Sequence, residues 1–291
     1  MTPACAPLTV VLNPAARRGH HAHSALSVLR AAGFAPRVLT VGRDDVQASL
    51  TCAVEGGAPL VVIGGGDGTL SRTVAPLLHS DTALGILPLG NGNTFARNLG
   101  LPTDPALAAR LIVQGQARRV DVGFLNDRPF LNSASLGLSA RVATLLTRPL
   151  KRRLGWLAYA AVAWRLLAQR AAFPARLELD GRPATAYGAQ LVFANALNVA
   201  DALLVPGADF EDGELVALSL PGATRTALLL RALRWRLGDQ SAVRAARFHE
   251  ARLWLPEGQR PVNLDGEVCW PESWPLVLRG AKRALKVMSP A

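Results

Sequence analysis

Residues 60–70 read LVVIGGGDGTL, an apolar run that passes straight into three consecutive glycines. A run that is apolar throughout, rather than alternating, marks a strand covered on both faces. Three glycines permit positive φ angles and let a ligand approach the backbone closely. The N–H groups exposed there, with the N-terminus of the helix that follows, form an anion site. The segment lacks the Gly-Lys-Ser/Thr ending of a Walker A loop and the spacing of G-x-G-x-x-G. Asp67 would repel a phosphate directly, so it suits orienting a hydroxyl or binding Mg²⁺. Thr69 suits capping the helix or donating to phosphate. The bland alternative is a tight structural turn.

The same construction recurs. Residues 87–100, LPLGNGNTFARNLG, follow the next apolar strand, with Asn91 and Asn93 as candidate sugar or phosphate contacts and Arg97 as a neutralising charge. Asn13-Pro14-Ala15-Ala16-Arg17-Arg18-Gly19 follows the first strand, 8–12. Between these loops, helical spacing over 23–32, 44–55, 70–78 and 104–114 alternates with strand signals at 36–40, 60–63 and 84–87. Such alternation predicts a doubly wound, mostly parallel sheet with ligands at its carboxyl edge. Near Arg119 the pattern changes to short strands divided by turn pairs such as Asn126-Asp127 and Asp180-Gly181, with helical interruptions near 151–170 and 224–237. The reading is an α/β chain: a nucleotide- or phosphate-binding domain over 1–120, an antiparallel β-sandwich over 121–280, and a tail, 281–291, that packs back on the first domain.

With 291 residues, the chain is long enough for two domains. Cys5, Cys52 and Cys269 form no C-x-x-C pair or zinc spacing, which favours a reducing compartment. The N-terminal apolar run reads as a first strand rather than a signal peptide, and no stretch reaches the length of a spanning helix. The expected location is therefore cytoplasmic. Net charge is +11, from 32 basic residues of which 29 are Arg, and this points to an anionic partner. Eight of those basic residues lie between Arg141 and Arg176 with no Asp or Glu among them, interleaved with Trp156, Leu157, Tyr159 and Trp164. LLLRALRWRL at 228–237 repeats the theme. Amphipathic segments of this kind lie on anionic bilayers, so peripheral contact with the inner face of a membrane is expected. An ordinary helix with a solvated basic face is the alternative. No recognition motif accompanies the charge, so nucleic acid is not an expected partner. The His20, His21 and His23 cluster has no acidic or cysteine ligand nearby and reads as a solvated loop.

NPAARRG, GGGDGTL, PLGNGNTFAR, FLNSASLG at 130–137, PGADFEDGEL at 206–215 and LDGE at 264–267, in that order, together resemble the diacylglycerol kinase catalytic-domain family, which includes sphingosine-type kinases. The resemblance runs from about residue 8 to residue 280. It implies two domains, with ATP bound beside the first and a β-sandwich enclosing the lipid headgroup. It places Asn13, Thr40, Gly64, Gly65, Gly66, Asp67, Gly68, Thr69, Asn91 and Asn93 at ATP-binding positions. Asp67 then organises Mg²⁺ and phosphate. Asp212, with Asp209 and Glu214, matches a structural magnesium site, and Glu267 matches a general base with Asp265 as its partner. Two positions depart from the common pattern: Asn91 stands where a Thr or Ser hydroxyl is usual, and Thr94 where Asp is common.

The implied activity is transfer of the γ-phosphoryl group of ATP to a hydroxyl of a membrane lipid, with Asp67, Asp265 and Glu267 as catalytic residues. A NAD-kinase-like enzyme acting on a soluble nucleotide, and a nucleotide- or lipid-binding protein without turnover, are the alternatives. The lipid is not specified by the sequence, and a homodimer is left open. Asp265-Gly266 is also a common hairpin pair, and Asp212 also suits a plain surface turn.

Overall fold

The computed structural model of the chain describes residues 6–16, 18–145, 173–199, 203–221, 225–255 and 261–290. It divides into two compact units, Met1–Val122 with Lys282–Ala291, and Gly123–Ala281.

The first unit runs β1 (Ala6–Leu12), α1 (Ala22–Ala31), β2 (Phe34–Thr40), α2 (Val46–Glu55), β3 (Leu60–Gly65), α3 (Asp67–Thr73), β4 (Ala83–Pro88), α4 (Thr94–Asn98) and α5 (Pro105–Gln114), then enters β5 (Gln116–Leu125). β2, β1, β3 and β4 pair in that order, all parallel. Leu12 stands opposite both Thr40 and Gly64, and Gly64 opposite Leu87, so the carboxyl ends of the strands finish level. Leu8 and Val10 of β1 and Val62 of β3 pack with Leu26 and Leu29 of α1 and Ile112 of α5. A Cβ on Gly85 would meet Ile112 at 2.9 Å, so glycine there lets α5 lie close on the sheet. Two helix starts follow from their caps. Asp45 accepts from the Ala48 N–H, and Asp104 accepts from Ala106 and Leu107 N–H with Pro105 in the first turn. The helix expected through Leu78 ends sooner, at Thr73, where Pro76 enforces a separate 3₁₀ turn over Ala75–Leu77.

The second unit holds β6 (Arg128–Phe130), β7 (Ser133–Gly137), α6 (Leu138–Leu145), β8 (Phe173–Leu179), β9 (Arg182–Gly188), β10 (Gln190–Ala194), β11 (Asn198–Val199), β12 (Leu203–Leu204), β13 (Leu215–Leu220), α7 (Arg225–Arg236), β14 (Arg244–Phe248), β15 (Glu250–Trp254), β16 (Val262–Leu264), β17 (Glu267–Cys269) and the start of β18 (Leu276–Ser289). Within the unit its ladders are antiparallel: β9-β8-β15-β18 form one sheet and β14-β13-β10-β7-β16-β17 the other. Alternate residues of both sheets, including Phe173, Leu177, Leu253 and Leu278 against Leu136, Phe193, Leu215 and Leu264, close one core between them. Phe193 and Phe248 meet edge to face at 5.9 Å. The helix expected near 151–170, with most of the basic aromatic window, lies outside the described residues.

Three hairpin tips share a device. Asn126, Asp180 and Asp265 have φ of 52°, 48° and 48°, a region these short polar side chains tolerate. Each side chain then accepts from distant backbone: Asn126 from Val277 N–H, Asp180 from His249 and Glu250 N–H, and Asp265 from residues 131–133. The turn residues therefore also fix the partner segments.

Phe193 is fully buried. Phe193→Ala is expected to lower stability by about 3–5 kcal/mol, measured by urea unfolding followed through fluorescence. A loss below about 1 kcal/mol would show that this core is not packed as described.

Candidate functional site

The three glycine-bearing loops of the first unit are bonded into one surface at the carboxyl edge of its sheet. Asn13 Nδ2 donates to Thr69 Oγ1 at 2.8 Å, and Asn13 N–H donates to the Gly64 carbonyl at 2.9 Å, which ties the first loop to the second. Arg18 N–H donates to the Leu89 carbonyl at 3.0 Å, which ties the first loop to the third. Leu89 and Gly90 N–H both donate to the Gly65 carbonyl, at 3.0 and 3.2 Å. There the second and third loops touch through their backbones. A Cβ on Gly90 would lie 2.4 Å from Gly66 Cα, a separation that no side chain allows.

Asp67 completes the joint. It opens α3, yet its carboxylate reaches the start of α4: Oδ2 accepts from Thr94 N–H at 3.0 Å and Oδ1 from Phe95 N–H at 2.9 Å. Asn93, the residue before α4, supplies no side-chain cap of its own, so Asp67 satisfies two otherwise orphaned N–H groups from another loop. The charge also lies at the positive end of the short helix dipole.

The remaining residues of the site divide by where their polar atoms point. Asn93 is 3% exposed, with φ of 49°, and its amide is spent inside the loop. Its Oδ1 accepts from Gly90 N–H, and its Nδ2 donates to the Gly90 carbonyl. Asn93 thus shapes the turn rather than facing a ligand, because Gly90 satisfies both ends of the amide. Thr69 is likewise buried, packs against Gly65 and receives the Asn13 amide; the α3 cap position is Gly66, not Thr69. Asn91 and Arg97 are exposed on the third loop and α4. Thr40 ends β2 level with Asn13, and its N–H donates to Asp44 Oδ2 at 2.5 Å.

In the second unit Asp265-Gly266 forms the β16–β17 turn, with φ of 48° and 93°. The hairpin reading of that pair is therefore met, and the carboxylate has a second task. Oδ2 accepts from Leu131 N–H, and Oδ1 from Asn132 and Ser133 N–H, at 2.6 to 2.9 Å. This clamp is why the strand expected over 128–133 is broken into β6 and β7. Glu267, the first residue of β17, is partly buried opposite Leu264 and held in place by that hairpin. Burial pushes the nearby Cys269 thiol up despite the opposing charge of Arg128, so it stays protonated at neutral pH.

At the expected metal site an arginine of the chain lies against two of the carboxylates. The Arg247 guanidinium pairs with both Asp212 Oδ2 and Glu214 Oε2. The second Asp212 oxygen accepts from Glu214 N–H at 2.8 Å, and Asp209 Oδ1 accepts from Glu211 N–H at 3.0 Å. Arg247 thus bridges two carboxylates of this turn, and Asp209 and Asp212 also accept from its backbone. Among the described residues no three His, Cys, Asp or Glu side chains are grouped to hold a metal ion. Sequence reasoning missed Arg247, which lies 35 residues from Asp212 and becomes its neighbour only through the β13–β14 pairing.

The chain thus joins a parallel sheet edged by glycine loops to an antiparallel sandwich. Residues 7–125 match the Diacylglycerol kinase catalytic domain, and residues 132–289 match the YegS C-terminal NAD kinase beta sandwich-like domain. The chain is 33% identical over 278 residues to a Chromohalobacter salexigens protein named "Probable lipid kinase YegS-like", covering 91% of this chain and 88% of that one. It is 32% identical over 234 residues to a diacylglycerol kinase of Mycobacterium tuberculosis, covering 76% and 75%. A solved diacylglycerol kinase structure from Bacillus anthracis str. Sterne shares the fold, with a TM-score of 0.73 at 20% identity over 99% of this chain and 98% of that one. The chain belongs to the diacylglycerol kinase family of lipid kinases.

Asp67→Ala is expected to lower stability by about 1–2 kcal/mol, because two helix-start N–H groups lose their acceptor. Asp67→Asn, which keeps one carbonyl oxygen, is expected to recover part of that loss. Urea titration of the three proteins checks the order. Equal midpoints would mean that the carboxylate does not hold the loops together.

Proposed function

We propose that the protein transfers the γ-phosphoryl group of ATP to a hydroxyl of a membrane lipid of the diacylglycerol type. The observation that carries the reading is the fused surface of three glycine loops, joined at Asp67 and at the Gly66–Gly90 contact. Backbone N–H groups at such a surface hold phosphate without a cationic side chain, and Arg97 and Arg18 add positive charge beside it. Family membership supports ATP as the donor.

Asp67 fits the Mg²⁺ that accompanies the nucleotide. Its carboxylate lies where the second and third loops meet, and the side chain is partly exposed. When bound, the ion would neutralise charge on the β- and γ-phosphates. Asp209, Asp212 and Glu214 serve the turn rather than the reaction, with Arg247 bridging the latter two.

Glu267 is the proton acceptor. The lipid hydroxyl oxygen forms a bond to the γ-phosphorus, the bond from that phosphorus to the bridging oxygen breaks, and ADP leaves with that electron pair. The hydroxyl proton passes to the Glu267 carboxylate. Asp265 acts by position: its three backbone contacts fix the hairpin that carries Glu267. Thr94 adds no carboxylate to the nucleotide loops, so Asp67 carries the acidic chemistry there alone.

With Mg-ATP labelled on the γ-phosphate and a diacylglycerol dispersion, the wild-type chain should produce a phosphorylated lipid. Glu267→Gln should reduce that product by about 10²–10⁴-fold, the usual size of a general-base contribution, with an unchanged circular dichroism spectrum. Undiminished labelling would remove Glu267 from the mechanism. No labelling by the wild type on any lipid tested would overturn the assigned reaction.

A further inference from the structure

α7 buries one side and presents a leucine ridge on the other. Leu228 and Trp235, two turns apart, are each 6% exposed, and Trp235 packs on Val192, Val216 and Leu218 of the outer face of the second sheet. On the opposite side Leu230, Leu233 and Leu237 are 60%, 53% and 77% exposed. Leu237 continues the helical turn, since its N–H donates to the Leu233 carbonyl at 2.9 Å. At 3.6 residues per turn these three leucines fall within about 60° of arc, centred opposite the buried pair. Three leucines aligned against solvent have no part in the core of the unit.

The rim of the ridge is cationic. Arg234 lies on one flank and Arg236 on the other, and the helix carries four arginines with no carboxylate. The nearest acid, Asp239, follows the helix and is taken by Arg234 at 2.6 Å. The Ser241 hydroxyl, then Arg234, hold the Asp239 carboxyl below its ordinary range, so this pair stays ionised. Arg236 has no partner among the described residues and is exposed.

We infer that this face of α7 docks the protein on an anionic lipid bilayer, with Leu230, Leu233 and Leu237 entering the interface and Arg234 and Arg236 at the lipid phosphates. An apolar ridge flanked by cations matches the layered chemistry of such a surface, apolar below and anionic at the headgroups. A second copy of the chain fits less well. A twofold contact across the ridge would set the arginines of the two copies against one another, and three leucines fall far short of the roughly 800 Å² per partner of a stable dimer. The inference rests on the reading that the substrate is a membrane lipid, and it names the surface that brings the enzyme there.

The test uses the full chain and sedimentation with vesicles of phosphatidylcholine alone or with about one-third phosphatidylglycerol, an anionic content high enough to attract arginines. The wild type should sediment with the anionic vesicles and stay in solution with the neutral ones. A Leu230→Ser/Leu233→Ser/Leu237→Ser variant should lose about tenfold or more of that partition, since burial of three leucines is removed. Its melting temperature should match the wild type, because the side chains are outside the core. Arg236→Gln should weaken binding in a way that added salt reproduces in the wild type. Sedimentation needs no turnover, so it separates failure of this inference from failure of the kinase assignment. If kinase activity is present, the triple variant should be impaired on vesicle-borne substrate and normal on a water-soluble short-chain diacylglycerol. Vesicle binding by the triple variant equal to the wild type would overturn the inference. So would a wild-type dimer, seen by light scattering, that the leucine substitutions convert to monomer.

Discussion

The contact between Gly66 and Gly90, closed by the Asp67 carboxylate on Thr94 and Phe95 N–H, is the joint on which the glycine-loop surface depends. Glycine is required at Gly90 for space, since a Cβ would collide with Gly66 Cα and Asn93 Oδ1, rather than for an unusual dihedral angle. With the loops that close, one carboxylate reaches two amides of the neighbouring loop, and Asn13 and Arg18 fasten the first loop to the pair. The proposed phosphate surface poses a general problem. Donor groups must be held rigidly at the edge of a sheet, and here backbone and buried side chains hold them, leaving the exposed faces for a ligand.

The sandwich uses a related economy. Asp265 is at once the residue that makes the β16–β17 turn and the acceptor for three N–H groups of the 131–133 segment. Glu267, two residues on, inherits its position from that clamp. Arg247 plays the corresponding part at the 209–214 turn, where it bridges two carboxylates that would otherwise repel. Carboxylates in both units therefore work first as organisers of backbone.

Much of this was legible in the order of residues. The parallel sheet showed because β3 and β4 are apolar throughout and run straight into glycine-bearing loops, and the family showed because six short motifs occur in one sequence order. Other features were hidden for physical reasons. The helix at 67–73 was overestimated because its apolar spacing continues past Pro76, which cannot donate the next hydrogen bond. Asn93 and Thr69 look like ligand contacts by type, yet both turn inward, because the partners that satisfy them lie in the fold and not beside them in the chain. The short strands β14 and β16 carry little periodicity of their own and exist through pairing with the longer β13 and β7. Arg247 could not have been matched to Asp212 without the register of β13 on β14.

Hydrogen–deuterium exchange with and without a non-hydrolysable Mg-ATP analogue tests the central claim most directly. Bound nucleotide should slow exchange of the N–H groups in 64–70 and 90–97 together, while the 209–214 turn stays unchanged. Protection that falls elsewhere, or on one of these loops without the other, would contradict a single phosphate surface built on the Gly66–Gly90 joint.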